Sequence, residues 1–193
     1  MLVILSGSSG AGKNTIINRL VGESGGAYTV PPSVTTRAPR AGERQGMPYY
    51  FVAREEFLAR AASGEFYEYE EVHGNLYGTS RLILDGLTAQ NKILLKDLDV
   101  YGTQNLVQKL SAHLQIVTIF ITADLDVLRA RLAARGEQEV DIQNRLARFS
   151  VEQTFAQKYR HVVPNDDLDT AVAQVKQIIE AERQAGAPRR GEQ

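Results

Sequence analysis

LVILSGSSGAGKNT, running from Leu2 to Thr15, joins an apolar run to a glycine-rich loop and then to a lysine. Leu2, Val3, Ile4 and Leu5 form the unbroken apolar run of a strand buried on both faces. Gly7, Gly10 and Gly12 break it, Lys13 follows, and Thr15 opens IINRLV, which predicts the first turns of a helix. These offsets match the phosphate-binding pattern G-x-x-x-x-G-K-[ST], with one mismatch at Asn14. Glycines let backbone N–H groups turn inward around a phosphate with no side chain in the way. A helix N-terminus adds its positive dipole end, and Lys13 supplies a full charge to the β- and γ-phosphates. Gly7, Ser8, Ser9, Gly10, Ala11, Gly12, Lys13, Asn14 and Thr15 are therefore the expected nucleotide-binding loop.

The rest of the chain suits that loop. A length of 193 residues predicts one domain, with room for inserted lobes and a real core. Hydrophobic content of 43% and charged content of 23% are ordinary for a globular protein. A net charge of −1 argues against a nucleic-acid partner, yet leaves room for a local basic patch around a phosphorylated small molecule. The absence of cysteine excludes a disulfide, a thiolate metal site and a cysteine nucleophile. The sequence opens directly in an apolar strand and has no run long enough to span a bilayer, so no membrane partner and a cytoplasmic location are expected.

Strand and helix patterns alternate. A short strand is predicted at Ala27 to Val30, then a small irregular lobe over Pro31 to Val52, rich in Pro, Gly and Arg. REEFLARAASG carries Phe57, Leu58 and Ala61 at helical spacing, and Gly64 stops it. EFYEYEEVHGNLYGTS predicts two short strands with a turn at Gly74-Asn75. A helix over Leu82 to Gln90, a strand over Lys92 to Val100 ending in carboxylates, a helix over Thr103 to Leu110 and a strand over Ile116 to Ile121 follow. Asp124 is placed to cap the next helix. One long helix is then predicted from Val140 to Lys158, a strand at His161 to Val163, and a last helix from Leu168 to about Arg183. Residues 184–193 are polar and expected to be disordered. The alternation predicts an α/β fold: a parallel sheet flanked by helices, with its ligand at the strand C-termini.

Several polar clusters stand out. Arg37, Arg40 and Arg44 lie within eight residues, beside Thr35, Thr36 and Tyr49; guanidinium forks match phosphate oxygens bidentately, and a solvated basic loop is the plain alternative. Glu68 and Glu70 share one strand face, where most such carboxylates are merely solvated. A carboxylate aimed into a cleft instead accepts from the adjacent N1–H and N2–H₂ donors of guanine, a pair that adenine lacks. Ser33 and Thr79 are candidate hydroxyl donors to O6. Asp97 and Asp99 end a core strand, as a Walker-B acid does when it organises Mg²⁺; a helix cap is the alternative. Arg129, Arg131, Arg135, Arg145 and Arg148 lie on two helices across a turn at Gly136, an arrangement suited to a lid over phosphates or to a solvated face. The three histidines lack ligand spacing, and His73 and His161 are read as structural.

The order of these motifs resembles the guanylate kinase family. The likeness runs from GSSGAGKNT through SVTTRAPRAGERQGMPYYFV and EVHGNLYGTS to DLDVYGT, RLAARG and VPNDDLD, over roughly residues 2 to 180. Pro39-Arg40, Gly42-Glu43, Tyr49 and HGN-x-YGT are far more selective than the phosphate loop. The resemblance implies the P-loop nucleotide kinase fold in a single domain over residues 1–183. Its core would take residues 1–31, 85–123 and 151–183, with a GMP-binding lobe at 32–84 and a helical lid at 124–150. It implies Mg²⁺-dependent phosphoryl transfer from ATP to GMP, by a monomer or homodimer. By matched position Ser33, Glu68, Thr79 and Asp99 would hold guanine, and Arg37, Arg40, Tyr49 and Tyr77 the GMP phosphate, with Glu43, Gly78 and Asp97 also lining that site. Lys13, Arg37, Arg131 and Arg145 would act on the transferring group; Arg135 and Asn165 would serve ATP, Asn165 near adenine. Thr15 and Asn14 would hold Mg²⁺, partly through water. The chain departs from the family pattern at Asn14, Val34, Tyr101 and Thr122-Ala123. Two other readings fit some of these features: a non-catalytic phosphopeptide-binding module of this fold, and a sugar-phosphate kinase.

Overall fold

The structure, a computed structural model, describes residues 1–186 other than 41, 73, 91, 135 and 137. The run that opens the chain forms β1 (Leu2–Ser6), and Leu2 to Leu5 have no exposed surface. Period-two alternation sends Val3 and Leu5 into one hydrophobic layer and Leu2 and Ile4 into another. The first layer includes Ile16, Leu20, Val175 and Ile179, and the second Leu84, Leu106 and Leu110. A strand clad on both faces cannot show a polar side, which is why it reads as a solid apolar run.

In chain order there follow α1 (Lys13–Glu23), β2 (Tyr28–Thr29), β3 (Ser33–Thr35), β4 (Arg44–Gln45), β5 (Pro48–Phe51), α2 (Arg54–Ala62), β6 (Phe66–Val72), β7 (Asn75–Ser80) and α3 (Arg81–Thr88). Then come β8 (Ile93–Asp97), α4 (Val100–Leu110), β9 (Ile116–Thr122), α5 (Leu125–Ala134), α6 (Glu139–Leu146), α7 (Phe149–Thr154), β10 (His161–Pro164) and α8 (Leu168–Gly186). The main sheet is parallel, in the order β10-β9-β1-β8-β2. Its register sets Leu5 level with Asp97 on one side and Ile119 on the other, so the loop after Ser6 emerges beside Asp97. Pro164 pairs with Thr122, which brings Asn165 to the same height.

Three expectations are corrected. The lobe over residues 31–52 is not wholly irregular: β3, β4 and β5 join β7 and β6 in a second five-stranded sheet, where Val34, Phe57, Phe66 and Leu76 make a separate small core. The predicted helix over residues 140–158 is broken into α6, α7 and a 3-10 turn at Ala156–Lys158. At 3.6 residues per turn, Leu146 and Phe155 would face opposite ways on one straight helix. The breaks let Leu146 and Phe149 pack on the main core while Phe155 packs with Val100, Phe120 and Tyr159. Helix α8 continues to Gly186, into the stretch expected to be disordered, and residues 187–193 lie outside the described ones.

Candidate active site

The loop after β1 takes its shape from three left-handed glycines. Gly7 (φ 129°) is packed so tightly that a Cβ there would sit 2.0 Å from the Ile121 carbonyl oxygen. Gly12 (φ 90°) leads into α1, and its missing Cβ is the space taken by the Asn165 amide. Lys13 folds back over the loop, donating to the Gly7 and Ser8 carbonyls at 2.6 and 3.1 Å. Its ammonium thus waits over the phosphate cradle. Asn14 and Thr15 are exposed at the start of α1, and the Asn14 side chain lies beside the Asp97 carboxylate. Burial raises the Asp97 pKa, opposed by Lys13, Lys96 and Asn14.

Asn165 is 1% exposed, and its Nδ2 donates to the Ala11 carbonyl at 2.7 Å, bracing the loop from behind, while its Oδ1 is buried with no protein partner. Arg131 on α5 donates to the Asn165 carbonyl at 2.8 Å, while its Nη1 is buried with no protein partner. A buried cationic donor without an acceptor points to an anionic ligand. Arg145 on α6 reaches the loop itself, donating to Ser9 Oγ at 3.0 Å. Arg135 lies outside the described residues. Glu152 on α7, which the sequence reading passed over, also lies beside Ser8 and Lys13.

A second polar centre forms on the small sheet. Arg37 makes a two-oxygen contact with Glu43 (2.9 and 3.0 Å), donates to the Ala38 carbonyl and lies over the Tyr49 ring at 5.3 Å. Glu43 also accepts from the Arg40 backbone N–H at 2.7 Å. Burial pushes Glu43 up, but these donors prevail and hold its carboxyl below the ordinary range. Tyr49 meets Tyr77 edge-on, and burial, then Asp97, push its phenol up to about 12, so it stays a donor at neutral pH. The Arg40 and Arg44 side chains belong to exposed residues, and Gly78 contributes backbone only, pressed against Phe57 and Phe66.

Where the two sheets meet, β3, β6, β7, β8 and the start of α4 bring Ser33, Glu68, Thr79, Lys96 and Asp99 together. Glu68 is 5% exposed and accepts from the Thr79 hydroxyl. That bond uses the Thr79 hydrogen, so of the two hydroxyls only Ser33 remains to donate outward. Burial drives the Glu68 pKa up to about 7, with Lys96 and Thr79 opposing. The other Glu68 oxygen lies against Gly102, where a Cβ would stand 3.0 Å away. Asp99 is the N-cap of α4, accepting from the Tyr101 and Gly102 N–H groups, so β8 ends at Asp97 rather than running on. The sequence reading missed Gly102 and Lys96. Lys96 had one legible signal, a charge inside the apolar strand KILLKDLDV. His161 bonds Glu182 at 2.8 Å, away from this cleft, and His73 lies outside the described residues.

The family model described as guanylate kinase matches residues 1–182. The chain belongs to the guanylate kinase family. It is 40% identical to a guanylate kinase of Chlamydia felis over 94% of this chain and 88% of that one. It is 38% identical to a human guanylate kinase over 93% and 92% of the two chains. The crystal structure of guanylate kinase from Anaplasma phagocytophilum superposes with a TM-score of 0.75 at 30% identity, covering 94% and 85% of the two chains. The glycine-rich loop leaves the central strand β1 of the main sheet, and the second polar centre stands on the small sheet beside it. Among the described residues no helix is long and apolar enough to cross a membrane.

Proposed function

We propose that this protein transfers the γ-phosphoryl group of ATP to GMP, and to dGMP more weakly, giving ADP and GDP. The observation that carries the reading is Glu68, a buried carboxylate with one oxygen held by Thr79, standing across the cleft from a complete phosphate loop. Guanine supplies two adjacent donors to such a carboxylate. Ser33 serves O6, and Asp99 completes the pocket from the α4 cap. Arg37, Arg40, Tyr49 and Tyr77 take the GMP phosphate, with Glu43 holding the Arg37 fork in place. Phosphoryl transfer asks chiefly for in-line positioning and charge neutralisation; Lys13, Arg131 and Arg145 supply cations along that line. No general base is assigned.

The oxygens at the loop mouth suit Mg²⁺: Asn14 and Thr15 offer neutral hard ligands, and Asp97 stands beside Asn14. Mg²⁺ keeps several waters and takes phosphate oxygens, so the lack of a dense acidic cluster among the described residues is compatible with it. When bound, the ion would supply neutralising charge to the phosphates. Residues 32–84 act as the acceptor lobe and 124–150 as the lid. A cytoplasmic monomer or homodimer, acting on small molecules without nucleic acid or membrane, belongs to the same reading.

A coupled assay of ATP with GMP, AMP, UMP and ribose phosphates tests the reading. GMP turnover well above AMP is the expected result. Equal use of AMP and GMP would overturn the guanine assignment, and turnover of a ribose phosphate alone would favour a sugar-phosphate kinase. Phosphopeptide binding with no turnover at all would point to the binding module.

A further inference from the structure

Lys96 is a charged side chain with 1% exposure in the middle of a core strand, and no role assigned above uses it. Its Nζ lies 2.7 Å from Ser33 Oγ on the neighbouring sheet. The carboxylates of Glu68 and Asp97 flank it and favour its charge, against burial, which is the larger influence. Burial lowers the Lys96 pKa from the ordinary lysine value, but its Nζ is the donor in this bond, so Ser33 accepts. The Ser33 hydrogen is then turned elsewhere, and Ser33, unlike Lys96, is only half-buried. A hydroxyl that faces a ligand freely is ambivalent: it donates to a carbonyl or accepts from an amine. One already bonded to a cation is polarised into a stronger donor and a weaker acceptor.

We propose that Lys96 is a positioning residue for specificity: acting through Ser33, it makes the base pocket select 6-oxopurine over 6-aminopurine nucleotides. The inference rests on the guanine reading of that pocket. It divides recognition into two separable parts. Glu68 reads N1–H and the 2-amino group, and the latter is what separates guanine from hypoxanthine. The Lys96–Ser33 pair reads position 6, where a purine amine would present a donor to a donor and leave a buried polar group unmatched.

The test measures kcat/KM for GMP, IMP and AMP at saturating ATP in the full chain, for Ser33→Ala, Lys96→Met and the double variant. Each single change should lower the IMP-to-AMP preference about tenfold while the GMP-to-IMP ratio stays within about twofold. Because both act through one hydroxyl, the double variant should show about the same tenfold loss, the non-additivity expected of coupled residues. A buried cation of purely structural value would lower all three substrates in proportion. That result, or an additive loss of about a hundredfold in the double variant, would overturn the proposal. Lys96→Leu also removes the donor to Ser33 and covers the case in which Lys96→Met does not fold; an unchanged IMP-to-AMP ratio there sinks the idea. If Ser33→Ala lowers the ratio and both Lys96 variants leave it alone, the pocket stands and Lys96 falls. If Ser33→Ala and Glu68→Gln both leave every nucleotide preference untouched, the guanine reading itself fails.

Discussion

Burial and recognition pull Glu68 in opposite directions. Burial raises its carboxyl from the ordinary 4.5 to about 7, with Lys96 and Thr79 opposing. Between those values the folded chain holds a proton that the unfolded chain has released, so this group lowers stability as pH rises from 4.5 to about 7. Guanine's two donors need the ionised form, so GMP binding offsets that loss only at the upper end. The thermal shift produced by GMP should therefore grow as pH climbs through about 7 and flatten in Glu68→Gln. The phosphate, whose second pKa is about 6, adds a pH dependence of its own that this variant keeps. The same variant should lower kcat/KM for GMP by roughly 10²-fold, about 3 kcal/mol, with the KM for ATP kept. Near-normal GMP kinetics would reduce Glu68 to a buried strand residue. Asn14 is a milder case: its amide oxygen is a hard ligand, on a longer arm than a serine hydroxyl. Steady-state rates across a Mg²⁺ titration should show Asn14→Ser gaining no more than about tenfold. A dead parent rescued by serine would contradict the assignment.

At the scale of elements, the glycines divide by what surrounds them. The turn from β1 into α1 needs Gly7 in a left-handed conformation pressed on the Ile121 backbone, where a methyl group has no room. Gly7→Ala should cost about 3 kcal/mol or more in urea unfolding and abolish ATP binding. Gly22 in α1 and Gly86 in α3 face open space with ordinary helical backbone. Replacing either with alanine should add about 0.5–1 kcal/mol, through the unfolded chain's lost freedom, without touching kinetics. A destabilised Gly22→Ala would mean that α1 meets something at that position. The α6–α7 break makes the complementary point. Helical periodicity was legible from Val140 onward, but the break was not, because it serves two cores that lie on different sides of the chain.

For the whole molecule, Arg145 ties the lid helices to the phosphate loop through Ser9. Closure excludes water, which otherwise competes with GMP for the γ-phosphoryl group. Arg145→Ala should lower kcat about 10²-fold and raise the ratio of ADP formed to GDP formed. A variant with fully coupled products would show that this contact does not gate water. Much of the molecule was written locally: the buried β1, the loop glycines and lysine, the arginine cluster and the amphipathic helices depend on neighbours within a few residues, so pattern alone exposed them. The small sheet escaped because β3 and β4 are two or three residues long and draw their stability from pairing. Partner choice among polar residues escaped as well. Lys96 meets Ser33 across 63 positions and Asn165 meets Ala11 across 154. The sequence by itself determined the kind of fold and the phosphate chemistry, since period and motif are properties of short segments. Only the tertiary structure decided that Asn165 braces the loop, that Thr79 is spent on Glu68, and that Lys96 sets the direction of Ser33. Each of those depends on which buried donor finds which acceptor, and the packing of distant strands settles that.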